Sequence, residues 1–266
     1  MPSENAPDPT ETPISLINVG GASPIILMCD HASAHIPAEY ANLGLPDDIF
    51  NQHVAIDIGA RHMTLELSER LDAVAIIANF SRLLIDPNRS PEQPGFVPQV
   101  SDGIEIPGNQ NLSRDEISHR QRHYYEPFHD AIAQQRDKIC ALGQTPIVIG
   151  VHSFTPIMQG AGRPWEIGLL WNRDSRLAMP LLDFLRRDPQ LTVGDNQPYS
   201  GKILGHTMDE HGGRHGYANI VIEVRQDRVA TEQTARTWGR LLARGLAEIT
   251  ANADLFGVQH YCVVEI

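Results

Sequence analysis

Ile147-Val148-Ile149-Gly150-Val151-His152-Ser153-Phe154 is the stretch that decides how this chain is read. Its first five residues are apolar and mostly β-branched, without the alternation of a strand that keeps one wet face. They read as a strand buried on both faces of an α/β sheet. The run then meets histidine and serine, and a polar side chain at the end of a buried strand needs a partner or costs several kcal/mol. Two other stretches repeat the pattern: Ile25-Ile26-Leu27-Met28 leads to Cys29-Asp30-His31, and Ile220-Val221-Ile222-Glu223-Val224 carries a glutamate. Ligand sites of open α/β sheets lie where the strands end. The three polar ends are therefore read together as one site, the alternative being a hydrogen-bonded structural network.

Outward from these strands, helix and strand alternate. Apolar residues at helical spacing (Val54, Ile58, Met63, Leu67, Leu71) predict a helix over 47–71. A strand is expected at 73–78, a long helix from Ser113 to about 142 with Glu116 at the capping-box position, and strands at 146–151, 166–171 and 219–224. Helices at 176–187 and 230–251 complete the core, with a Pro/Gly/Asn loop at 194–201. Residues 90–111 hold prolines and glycines without periodicity, a loop long enough to be functional and placed to serve as a lid. This alternation predicts a three-layer α/β/α domain. A single domain over 15–266 is expected, behind a flexible tail at 1–14.

Composition narrows the partners. The 266 residues carry 33 acidic against 21 basic side chains, a net charge of −12, which disfavours a general nucleic-acid surface. A small-molecule ligand is expected instead, and a few clustered arginines suffice to make it an anionic one. The three cysteines, Cys29, Cys140 and Cys262, are odd in number and widely spaced, which fits a reducing cytoplasm better than a disulfide framework. No apolar run reaches the length of a membrane span, and neither GxGxxG nor GxxxxGK[ST] occurs.

The chemistry follows from residue types. Two histidines and a carboxylate form a three-donor set for a catalytic divalent metal, zinc above all, with one position left for water. His31 and His152 supply the imidazoles. Asp57, an acid on an otherwise apolar helix face, is the favoured carboxylate, with an internal cap or an arginine's partner as its other readings. Asp30 is read as a residue that orients a ligand. Glu223, enclosed by aliphatic neighbours, suits a general base; a buried ion pair with Arg225 or Arg214 is its alternative. Arg82, Asn88 and Arg89 form an anion receptor, since guanidinium holds carboxylate through paired hydrogen bonds. A solvated loop with surface charges is the other reading there. His211 and Arg214, in His211-Gly212-Gly213-Arg214-His215, are assigned to the pocket wall, and His53 stands near Asp57 in the chain.

Seven segments in order, CDHASAHIP (29–37), HVAIDIGA (53–60), SRLLIDPNR (81–89), HSFTP (152–156), IGLLWNRD (167–174), PYSG (198–201) and IEVRQD (222–227), resemble the N-formylglutamate amidohydrolase family over residues 25–230. The resemblance implies a zinc-peptidase-like α/β/α fold with a mixed central sheet, related to the zinc carboxypeptidases and aspartoacylase. It implies a deformylase of amino-acid degradation, in which zinc-activated water attacks the formyl amide of an acidic N-formyl amino acid to release formate. His31 and His152 then match the histidine ligands, Glu223 the catalytic glutamate, and Asn88 and Arg89 the pair that holds the substrate carboxylate. Arg82 becomes a further anion contact able to stabilise the oxyanion. The wider superfamily has a glutamate ligand three residues after the first histidine; this chain has Ala34 there, and Asp57 takes that place. His35 and His215 also depart from the pattern. Two other functions stay open at this point: deacylation of another N-acyl amino acid, and non-catalytic binding of amino-acid-like anions.

Overall fold

The computed structural model describes residues 12–202 and 206–261. Seven strands form one sheet: β1 (Ile14–Ile17), β2 (Ile25–Cys29), β3 (Val74–Ala78), β4 (Ile147–Phe154), β5 (Ile167–Leu170), β6 (Val193–Asp195) and β7 (Ala218–Arg225). Their spatial order is β1-β3-β2-β4-β7-β5-β6. The four central strands, β3-β2-β4-β7, run parallel. On the outer sides β1 joins β3 antiparallel, β5 joins β7 antiparallel, and β6 runs parallel to β5. The sheet is mixed, as the resemblance implies. Every residue of β2, β3 and β4 is buried, which is why these strands are written as unbroken apolar runs.

Alternate side chains feed two cores. Leu27 and Cys29 of β2 pack with Met63 and Leu67 of α1 (Ala60–Leu71), and with side chains of α4 (Ala178–Leu185) and α6 (Glu232–Thr250). Ile26 and Met28 face the other way, toward Phe128 and Ile132 of α3 (Glu126–Ala141). Helices cover both faces of one sheet, the expected three-layer arrangement.

Several boundaries differ from expectation for physical reasons. The helix expected over 47–71 is a 3-10 turn at Asp47–Asn51, irregular chain, and then α1 from Ala60. Gly59 precedes α1 at φ +81, where a Cβ would stand 2.3 Å from the Val229 carbonyl oxygen, so the chain turns sharply there. The long helix expected from Ser113 is α2 (Arg114–Arg120), a π turn at Gln121–Tyr125, and α3. Pro127 lacks an N–H, and the π turn just before it accommodates the missing bond. Ser113 caps α2 as expected, accepting from the Glu116 N–H at 3.1 Å. The loop at 90–111 contains a small hairpin, Val100–Ser101 against Ile104–Glu105. β1, β6 and the short α5 (His206–His211) are additions to the expected elements. Of the tail expected at 1–14, residues 1–11 lie outside the described residues, and Ile14 opens β1.

Candidate active site

Parallel strands deliver their carboxyl ends to one edge, and that edge carries the polar residues. His31 lies two residues past β2. His152 on β4 and Glu223 on β7 are register partners in adjacent strands. Asp57 comes from the turn before α1: its N–H donates to the His31 carbonyl at 2.9 Å, and its own carbonyl accepts from the Ala60 N–H at 3.1 Å. It therefore sits ahead of the helix and not on a helix face, because Gly59 forces the chain to turn before α1 begins.

His31, Asp57 and His152 converge, with one ligand atom from each lying within 4.8 Å of the others. Asp57 Oδ2 is 2.9 Å from His152 Nδ1 and 3.5 Å from His31 Nδ1. Each imidazole turns its far nitrogen to a buried carboxylate: His31 Nε2 lies 2.8 Å from Asp86 Oδ1, and His152 Nε2 lies 3.0 Å from Asp30 Oδ1. This carboxylate–histidine pattern fixes ring orientation and tautomer in metal sites. Asp30, adjacent to His31 in sequence, thus serves His152, while Asp86 serves His31. Burial would raise the carboxyls of Asp57 and Asp86, but the charges and hydrogen bonds around them hold both well below the usual carboxylate range. His31 and His152 do this for Asp57, and Arg82 and His31 for Asp86. His31 Nδ1 is buried without a hydrogen-bond partner in the protein. A lone pair left open toward a second imidazole and a carboxylate is what a divalent transition metal fits.

Beside this cluster opens a cavity of about 350 Å³. Glu223 lines it, and burial pushes its carboxyl up to about 7. Its Oε2 has no hydrogen-bond partner. Both ion pairs considered for it are spent elsewhere, since Arg225 Nε meets Asp227 at 2.7 Å and Arg214 meets Glu210. Arg82 reaches the cavity while held 2.8 Å from Asp86 and 3.7 Å from Asp57. Asn88 and Arg89 line it as well. Asn88 Oδ1 accepts from the Thr207 N–H at 3.1 Å, which leaves the Asn88 Nδ2 donor without an intramolecular partner among the described residues. Arg89 forms no ion pair among the described residues.

Two expectations need correction. Neither His211 nor Arg214 lines this cavity. His211 ends α5 and packs inward, its Nε2 lying 2.8 Å from His129 Nδ1. Arg214 lines a separate cavity of about 300 Å³ with Asp174, Asp209 and Tyr217. The histidine spacing i, i+4 there spans a helix end and a 3-10 turn, so the chain swings away from the strand ends. Sequence reasoning missed two residues that reach the cavity, Asp102 at the tip of the small hairpin and Tyr199, and noted His53, which lies beside Asp102, only for its nearness to Asp57. HVAIDIGA and PYSG contain two of these and were the available signal. Asp102 carried none, because a hairpin tip in an aperiodic loop is indistinguishable from solvated chain.

The sequence model of the N-formylglutamate amidohydrolase family matches residues 23–230. No curated protein matches the chain. Among solved structures, a gene product of Agrobacterium tumefaciens is similar at 35% identity and a TM-score of 0.87, over 91% of this chain and 96% of that one. An N-formylglutamate amidohydrolase of Ralstonia eutropha has the same fold at 20% identity and a TM-score of 0.60, over 90% of this chain and 98% of that one. The family match begins just before β2 and ends just past β7, so it encloses every strand end and loop that builds the cavity, and the chain belongs to the N-formylglutamate amidohydrolase family.

Proposed function

We propose that this amide hydrolase is metal-dependent and removes the formyl group of an N-formyl amino acid, giving formate and the free amino acid. N-formyl-L-glutamate, the compound in the family's name, is the reference substrate. The observation that carries the reading is the convergence of His31, Asp57 and His152 beside a cavity that also holds Glu223 and Arg89. These three side chains would hold the ion, and zinc is the one whose catalytic sites most often use two histidines and a carboxylate. Such an ion supplies a Lewis acid that polarises the amide carbonyl and acidifies the attacking water.

The protein's own groups do the rest. Glu223 takes the water's proton on Oε2, the oxygen without a protein partner, as the new C–O bond forms. It returns that proton to the leaving nitrogen as the C–N bond breaks. Burial raises this carboxyl above an ordinary glutamate, which suits it to both transfers. The Arg82 guanidinium, locked by Asp86, offers fixed positive charge where the carbonyl oxygen becomes negative. Arg89 and the Asn88 amide hold the substrate carboxylate, which orients the amide for attack.

The test is formate release from N-formyl-L-glutamate by metal-replete, chelated and re-zincated protein. Release is expected to vanish on chelation and return with zinc, while Glu223→Gln keeps its metal and loses at least about a hundredfold in turnover. Near-normal turnover by that variant, or release indifferent to chelation, would overturn the reading.

A further inference from the structure

The cavity is equipped for one carboxylate, and the ion pairs around it show why. Its wall carries five basic side chains: His31, His53, Arg82, Arg89 and His152. Four already face an acid. His31 and His152 face Asp86, Asp57 and Asp30 as described; Arg82 lies 2.8 Å from Asp86, and His53 Nε2 lies 3.2 Å from Asp102 Oδ2. Only Arg89 has no acidic partner among the described residues. With the Asn88 amide beside it in sequence, that guanidinium suffices for the carboxylate every N-formyl amino acid carries.

N-formylglutamate brings a second carboxylate, and the remaining wall does not welcome it. Val54, Phe154, Met158, Leu170 and Val221 are apolar, and the other uncharged lining residues, Thr155, Gln159 and Tyr199 among them, are polar without being cationic. Asp102 adds an acid, its side chain 31% exposed at the hairpin tip. The tip is built to carry it: Asp102 and Gly103 adopt φ +43 and +81, so the turn between Val100–Ser101 and Ile104–Glu105 ends over the cavity. A further guanidinium, Arg163, lies behind the wall, donating to the Tyr199 hydroxyl at 2.9 Å, and does not line the cavity. A buried carboxylate without a cationic partner is costly, and one facing a like charge is costlier.

We infer that the substrate side chain is uncharged, and that Asp102, paired with His53, is the specificity-determining residue that disfavours an acidic one. This rests on the metal-dependent deformylase reading above and narrows its substrate to N-formyl amino acids with a single carboxylate.

N-formyl-L-glutamine and N-formyl-L-glutamate form the decisive pair, since they match in shape and differ in charge. Formate release by the zinc-loaded protein is expected to give a kcat/KM at least about tenfold higher for the glutamine compound, with N-formyl-L-methionine following glutamine. Asp102→Asn is expected to shrink that ratio several-fold by raising the glutamate value. A glutamate value equal to or above the glutamine value in the wild type overturns the inference and leaves the deformylase reading standing. So does an unchanged ratio in a folded Asp102→Asn variant. If neither compound releases formate, the deformylase reading itself has failed. Calorimetric binding of the two compounds to zinc-loaded Glu223→Gln then decides the charge preference without turnover: tighter binding of glutamine supports it, and equal or absent binding overturns it.

Discussion

Thr207→Val is the substitution that most directly probes how the site is held. Thr207 is 2% exposed on α5, and its hydroxyl donates to Asp30 Oδ2 at 2.9 Å, with a longer contact of 3.3 Å to the Pro87 carbonyl. Valine keeps the shape of threonine, so no cavity opens and the change is chemical. The Pro87 carbonyl still has His129 Nε2 at 2.9 Å, but Asp30 Oδ2 loses its donor while buried. A hydrogen bond to a charged group contributes about 1.5–3 kcal/mol, and that is the expected loss in urea unfolding of the metal-free protein. Thr207→Ser keeps the donor but deletes a buried methyl, so it should lose about 1 kcal/mol while zinc affinity stays near wild type. Asp30 is the carboxylate behind His152, so zinc affinity, read by competition with a chelating dye, should fall in Thr207→Val, by less than the roughly 10- to 100-fold cost of losing such a carboxylate outright. Substrate binding separates from this effect, because Asn88 is held by the Thr207 backbone N–H, which valine retains. KM at saturating zinc should therefore move less than about twofold. Unchanged stability with unchanged zinc affinity would refute the reasoning, and a KM shift as large as the affinity loss would show that the hydroxyl serves the whole fold.

Two further expectations concern groups away from the strand ends. Burial, with His129 beside it, pushes the His211 imidazole down to about 3, so the fold keeps it neutral while the unfolded chain protonates below about pH 6.5. Its contribution is complete above that pH and lost as pH falls toward 3; going from about pH 7.5 to about 5.5 should cost the metal-free wild type about 1 kcal/mol more than His211→Gln. Parallel urea midpoints of the two proteins across that range would count against the tautomer-locked His129–His211 pair. Burial likewise pushes the Cys29 thiol up to about 12; iodoacetamide followed by peptide mass mapping should label the exposed Cys140 in the native protein and spare Cys29 until denaturant is added.

What the sequence made legible follows from burial. β2, β4 and β7 are enclosed on both faces, so selection for apolar side chains is continuous along them, and His31, His152 and Glu223 stand out as interruptions. The outer strands have no such signature: Ile14-Ser15-Leu16-Ile17 is short and partly exposed, and Val193-Gly194-Asp195 merges into a turn-rich segment. Asp86 was illegible for a different reason. Asp86-Pro87-Asn88-Arg89 reads as a turn bearing a receptor, and nothing local says that its aspartate reaches across to His31. Tertiary contacts of that kind depend on where two strand ends meet, which no periodicity records. His211 and Arg214 were misplaced for the converse reason: they immediately precede the Glu223 strand in the chain, but they enter at the end of that strand away from the cavity.

The polar strand ends form either a structural network or a site. Asp30, His31, Asp57, Asp86 and His152 are each at most 4% exposed. Burying charges this way gains little over apolar packing of the same volume, because desolvation offsets most of the Coulomb attraction. A network retained for structure alone should at least close on itself, every donor and acceptor matched. This one does not: at its periphery Asp86 engages the far nitrogen of His31, but Asp30 Oδ1, 3.0 Å from the far nitrogen of His152, completes no hydrogen bond. At its centre His31 Nδ1 has no partner, and Glu223 Oε2 has none on the neighbouring strand. Unmatched buried atoms on His31, Asp30 and Glu223, grouped beside one cavity, favour a site over a self-contained structural network.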